Sequence, residues 1–166
     1  MKLSKNEIKL LTYFRNNARK PLTRISRETR IPVSTIFDKL KTYEKLFIKK
    51  YTTLIDFRKV GFDIHVVMLF KIGKTSKQQF QEFITRHHRV NNVFKVNNDY
   101  DFIVEAVFKK MSEFQEFIDR TERFEVLDRK DFFIVQEIGR ECFLSRPEQI
   151  ELLFPELNEK RAKIII

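Results

Sequence analysis

Cysteine occurs once in this chain, at Cys142, which excludes an internal disulfide framework and any zinc site built from cysteine ligands. Glycine and proline are nearly as scarce, three and four residues, too few breakers for a collagenous, linker-rich or disordered chain. No apolar run approaches ~20 residues, and the amino-terminal stretch MKLSKNEIKL is charged every few positions. Neither a membrane span nor a signal peptide is therefore expected, and the cytoplasm is the expected location. What remains is 166 residues, 42% of them apolar, enough for a packed core in one ordinary domain or two small ones.

The formal net charge of +10 is unevenly spread. Residues 1 to 60 hold 16 Lys/Arg against 5 Asp/Glu, a net +11, whereas residues 61 to 166 hold 17 against 18. Phenylalanine splits the other way, with 4 of its 18 copies in the first 60 residues. A basic module thus precedes an aromatic-cored, electrically balanced one. The expected division is 1–61 for the basic module with its exit linker, 62–144 for the aromatic module, and 145–166 as a carboxyl-terminal extension.

In the basic module, Leu3-Ser4-Lys5-Asn6-Glu7-Ile8 is a capping box with a Leu3/Ile8 staple, opening a helix whose apolar face is Ile8, Leu11 and Phe14. Pro21 suits the opening turn of a second, short helix with a buried row of Leu22, Ile25 and Thr29 and an outer row of Arg24 and Arg27. Pro32 then leads into Val33 to Glu44, where Ile36, Leu40 and Tyr43 recur at helical spacing. The opposite face carries Ser34, Asp38, Lys41 and Lys45, flanked by Thr35 and Thr42. Two short β-rich runs, Phe47 to Lys50 and Thr52 to Ile55, read as a hairpin, or wing.

A short helix, a tight turn and a second helix that begins with small polar side chains can dock in a DNA major groove. On that reading Ser34, Thr35, Asp38 and Thr42 face base edges. Arg24, Arg27, Lys41 and Lys45 hold phosphates, and Lys39 joins the DNA-binding cations. Any solvated helix face is polar and charged, so the face alone does not decide; the +11 concentration shifts the balance towards nucleic acid.

The second module opens with a strand, Phe62 to Ile72, followed by a capping box at Ser76-Lys77-Gln78-Gln79 and a helix with Phe80, Phe83, Ile84 and His87 on one face. Val90 to Val96 and Asp101 to Phe108 read as strands joined by Asn97-Asn98-Asp99-Tyr100. A further capping box, Ser112 to Gln115, opens a second helix, and a last strand is expected around Phe132 to Ile138. The segment from Phe80 to Arg86, FQEFITR, recurs as FQEFIDR from Phe114 to Arg120. A strand-helix-strand unit used twice predicts an α+β arrangement, a winged helix-turn-helix followed by a ferredoxin-like βαββαβ domain with both helices on one sheet face. The other face needs cover, and pairing with a second copy supplies it. Beyond it, Ser145 to Glu148 with Ile150, Leu152, Leu153, Phe154 and Leu157 predicts a short helix ended at Pro155 and packed on the sheet module, and Ile164-Ile165-Ile166 is a candidate anchor to a partner subunit.

The run from Arg30 to Glu44, RIPVSTIFDKLKTYE, followed by Ile55 to Gly61, IDFRKVG, resembles the helix-turn-helix and exit linker of the Lrp/AsnC (feast/famine) transcription regulators. Arg30 stands where that family has a turn glycine. The order of the second module is similar too, and Val96-Asn97-Asn98-Asp99-Tyr100-Asp101 sits where the family carries a Val-Thr-Gly-x-Tyr-Asp loop, with Asn98 in place of the glycine. The resemblance covers residues 3 to about 140. It implies a sequence-specific regulator binding double-stranded DNA as a homodimer or octamer. It also implies an amino acid or related small effector at Asn97, Asn98, Asp99, Tyr100 and Asp101.

No Gly-rich phosphate loop, nucleophile motif or metal spacing is present. The adjacent His87 and His88 point about 100° apart on a helix and cannot share one metal without further ligands. His65 in an apolar strand reads as a packed, hydrogen-bonded residue, and Asp99 and Asp101 as turn residues. No enzymatic activity, metal or cofactor is expected. Two alternatives stay open: a siroheme decarboxylase-like enzyme, since those enzymes resemble the same two-domain order, and an architectural protein that coats DNA with little sequence preference.

Overall fold

The capping box at Ser4 forms as expected. The Glu7 amide donates to Ser4 Oγ at 3.4 Å and the Glu7 carboxylate accepts from the Ser4 amide at 2.9 Å, opening α1 over Lys5–Asn16. The structure, a computed structural model, describes residues 3–146, 149 and 150. It separates into two units, the chain up to Thr53 with the described residues from Gly139 onward, and Leu54–Ile138.

In the first unit, α2 (Leu22–Thr29) and α3 (Val33–Leu46) each begin directly after a proline. Proline has no amide hydrogen, and the first turn of a helix leaves its amides unpaired in any case. Leu10, Phe14, Ile25, Ile36 and Tyr43 form the core, with Leu22, Ile31 and Leu40 packed against it. Between α2 and α3 the chain reverses at Arg30, whose backbone is left-handed at φ 60° and ψ 24°. Ser26 Oγ donates to the Ile31 carbonyl at 2.6 Å and secures the turn from the helix side.

The two runs read as a wing hairpin, Phe47 to Lys50 and Thr52 to Ile55, contain no strand. The Lys50-Tyr51 corner has no Gly, Asn or Asp to adopt a hairpin turn, and the Tyr51 hydroxyl instead donates to Glu44 of α3 at 2.9 Å. The described tail residues are not on the sheet module as expected but within the helical unit, where Arg15 of α1 pairs with Glu141 and donates to the Phe143 carbonyl at 3.3 Å. The rest of the expected carboxyl-terminal helix, and Ile164 to Ile166, lie outside the described residues.

The second unit is the ferredoxin-like domain. Its elements are β1 (Ile64–Ile72), α4 (Lys77–Arg86), β2 (Val90–Lys95), β3 (Phe102–Phe108), α5 (Met111–Thr121) and β4 (Val126–Phe133), and the antiparallel sheet has the order β2-β3-β1-β4. Gly61, at φ 85°, takes the left-handed corner that leads into β1. The repeated segments do equivalent work: Phe80 and Ile84 of α4, and Phe114, Phe117 and Ile118 of α5, close over Val66, Met68, Phe70, Val104 and Phe108 on one sheet face. No helix among the described residues is long and apolar enough to cross a membrane.

Three local expectations for this unit are corrected. Ser76 has helical backbone angles, φ −98° and ψ −7°, so its side chain caps nothing. Helix α5 starts two residues early, with Lys110 rather than Ser112 as its N-cap, which puts Ser112 inside the first turn and lets the Glu113 carboxylate accept from the Lys109 amide at 3.0 Å. The last strand covers Val126–Phe133 rather than Phe132 to Ile138: on this edge strand Asp128 and Lys130 stay exposed and half-buried Arg129 pairs with Asp131 at 3.1 Å, so it does not need an apolar centre.

The turn at Arg30 yields a stability prediction. A left-handed conformation costs an ordinary residue ~1–2 kcal/mol, and glycine escapes it at the expense of extra freedom in the unfolded chain. Arg30→Gly should stabilise the protein by about 0.5–1 kcal/mol in denaturant unfolding; a loss of stability would contradict the left-handed turn.

Candidate nucleic-acid interface

Burial of Ile36, Leu40 and Tyr43 decides what α3 shows to solvent. Ser34, Thr35, Asp38, Lys41, Thr42 and Lys45 are all exposed along it, and Arg24 and Arg27 are exposed on α2. Thr42 Oγ1 donates to the Asp38 carbonyl at 3.1 Å, which leaves its acceptor lone pairs outward. Arg24 pairs with Glu28 at 3.2 Å, but its side chain is 72% exposed, so that pair contributes little and exchanges readily for a phosphate.

Lys39 departs from this group. Its ammonium lies 3.0 Å from the Glu7 carboxylate and ties α3 to the capping box of α1. Three residues from Ile36, it stands about 60° from the buried stripe rather than opposite it, a signal readable from the sequence. Phe37 is the residue that reading missed: 47% exposed, it stands among the polar groups with the Lys41 ammonium 4.4 Å from its ring centroid. Its signal was an aromatic residue off the Ile36-Leu40-Tyr43 stripe.

In the second unit the loop Asn97 to Asp101 joins β2 to β3. Asn98 is left-handed at φ 72°, the conformation that the family's glycine takes without strain. Asn97, Asn98 and Asp99 are exposed. Asp101 accepts from the Ile72 amide at 2.9 Å and pairs with Lys77. Burial pushes its pKa upward, and these two partners outweigh that, so the carboxyl stays below its ordinary range. The Tyr100 hydroxyl donates to Asp128 at 2.6 Å, and that carboxylate pushes the phenol upward. His65 is hydrogen-bonded as expected, 2.7 Å from Glu105.

The Lrp/AsnC ligand binding domain, as a sequence family, matches residues 65–138. The helix-turn-helix transcriptional regulator YugG of Bacillus subtilis is 32% identical over 126 residues, covering 71% of this chain and 75% of its own. The chain belongs to the Lrp/AsnC family of DNA-binding transcription regulators. A helix-turn-helix regulator of Pyrococcus abyssi is 24% identical over 140 residues, 84% of this chain and 95% of its own. The fold is shared with a regulator from Neisseria meningitidis solved as its L-Met complex, at TM-score 0.76 and 22% identity over 84% of this chain and 94% of that one. It is also shared with LrpC of Bacillus subtilis, at TM-score 0.76 and 15% identity over 84% and 99%. In this Lrp/AsnC chain, Arg30 and Asn98, at the two positions where the sequence resemblance places turn glycines, are both left-handed, at φ 60° and 72°.

The contact between Lys39 and Glu7 predicts a pH dependence. The Ser4 amide, Lys39 and the Ser4 hydroxyl together lower the Glu7 carboxyl from 4.5 to about 2. A depressed carboxyl adds stability that is fully present above its ordinary value and is lost as pH falls through the folded one. The stability gap between wild type and Glu7→Gln should therefore be constant above pH 4.5 and close between pH 4.5 and about 2. A gap that ignores pH in that window would show that the carboxylate is not so held.

Proposed function

We propose that this regulator binds a pseudo-palindromic site in duplex DNA, in the cytoplasm, as a homodimer or an octamer, and that an amino acid modulates it. The exposed polar face of α3, backed by the net +11 of residues 1 to 60, carries the reading. Ser34, Thr35, Asp38 and Thr42 read base edges, Asp38 by accepting from cytosine N4, and Phe37 meets a thymine methyl. Arg24, Arg27, Lys41 and Lys45 hold phosphates. The same concentration of charge favours a regulator over a porphyrin-handling enzyme, which has no use for it. With about six phosphates contacted, log affinity against log salt should slope near −5, and Lys41→Ala should weaken all sequences alike and reduce the slope by about one. A flat salt response would refute the interface.

The outward sheet face supports the oligomer. Val67 lies opposite Phe132 and Glu105, and Leu69 lies opposite Ile103, which in turn faces Phe94. Opposed residues share a face, so these apolar side chains stand together away from the helices. Phe94 and Phe132 remain 55% and 52% exposed. A patch of this kind calls for a partner, and two helical units on one duplex then predict half-sites about 34–36 Å apart or a multiple of it. Sedimentation of the full chain at micromolar concentration should give a dimer or a multiple, and Phe132→Glu should lower the mass; a wild-type monomer would contradict this.

The effector reading rests on the loop Asn97 to Asp101 and on the L-Met complex of the Neisseria meningitidis regulator. Because Asp101 anchors β1, the informative change is Tyr100→Phe, which removes one hydroxyl and keeps the ring. L-methionine or another of the twenty amino acids should raise the melting temperature of wild type more than that of Tyr100→Phe. No shift with any of them, or equal shifts in both proteins, would remove the loop from effector binding.

A further inference from the structure

The helix layer of the second unit carries a groove of about 640 Å³. Its floor is aromatic: the Phe83 and Phe124 rings are 5.1 Å apart, and His87 stands edge-on to Phe83 and Phe117. Its rim is cationic. Arg86 ends α4, Arg120 lies in the last turn of α5, and Arg123 follows in the next turn, with Glu82 the one acidic lining residue among the described residues. Arg86 and Arg120 are the corresponding last residues of the repeated FQEFITR and FQEFIDR segments, so the repeat brings two equivalent guanidinium groups to one groove.

Cations at helix carboxyl ends complement the macrodipole, which accounts for Arg86 and Arg120 but not for Arg123 or His88. Arg120 pairs with exposed Glu116, whereas Arg86 and Arg123 have no carboxylate partner among the described residues. The Arg123 guanidinium carbon lies 5.1 and 4.6 Å from the Phe83 and Phe124 ring centroids, so the cation is held against the aromatic floor of the groove. The surroundings of His87 report the local field: burial first, then the charges of His88, Arg120 and Arg89, push its imidazole down to about 4. The ring is neutral at neutral pH, and the net positive charge of the rim is carried by guanidinium groups.

We propose that this groove binds a phosphorylated small molecule of nucleotide size, whose phosphate oxygens accept from Arg86, Arg120 and Arg123. Guanidinium forks match phosphate geometry, and the volume falls in the range of small-molecule sites and exceeds what a single phosphate ion fills. The groove is separate from the Asn97 to Asp101 loop and from α3, so the proposal stands independently of both.

Calorimetric titration of the full chain with ADP and with pyrophosphate tests it, using adenosine and sodium chloride at matched ionic strength as comparisons. ADP should bind once per chain, with Arg86→Gln and Arg120→Gln each weakening it about tenfold. The double change Arg24→Ala/Arg27→Ala should leave ADP affinity as it is, which separates this groove from the basic helical unit. Binding of neither ADP nor pyrophosphate, equal binding of adenosine, or undiminished binding by the Arg86→Gln and Arg120→Gln proteins would overturn the proposal. Duplex DNA that loses affinity with Arg86→Gln as ADP does would assign the groove to backbone phosphates and overturn it as well.

Discussion

Burial of one stripe of α3 is the constraint from which the proposed DNA-facing surface follows. Ile36 and Tyr43 are wholly or almost wholly buried against Leu10, Phe14 and Ile25, with Leu40 packed beside them. A helix that commits this stripe to the core has no choice about the residues that face outward. The left-handed turn at Arg30 and the prolines before α2 and α3 set where each helix begins. The Lys39 to Glu7 contact adds a polar tie from α3 to α1.

A parallel constraint operates in the second unit. The two copies of the FQEF segment give α4 and α5 the same aromatic face, and both press on the same side of the sheet. Phenylalanine is well suited to this, because tilted and edge-on ring contacts such as Phe80 to Phe70 and Phe80 to Phe124 combine large buried area with defined geometry. The consequence is a sheet with one dry face and one apolar face still open. The domain's tendency to assemble and its hairpin loop are thus two results of one topology.

Most of this architecture was legible in the sequence, and the failures have physical causes. The capping box at Ser4 was readable and correct, whereas those at Ser76 and Ser112 had equally good patterns. A cap depends on the backbone angles of one residue and on where the helix starts, neither of which residue types encode. Strand β4 was placed too late because its centre, Asp128 to Asp131, is charged, and only knowledge of its edge position makes that acceptable. The wing failed for lack of a turn residue at Lys50-Tyr51. At the candidate interface, the exposed polar positions of α3 were fixed by helical period alone. The pairing of Lys39 with Glu7 and the exposure of Phe37 depend on angular position around α3, which residue type alone does not reveal.

The central claim is that the outward face of α3 reads base sequence, and selection of bound duplexes from a random pool tests it most directly. Wild type should return a two-fold-related motif. Asp38→Ala should return the same motif relaxed at one position in each half-site, equivalent to about 1–3 kcal/mol of lost discrimination. An identical motif from both proteins, or no motif from wild type, would contradict the account.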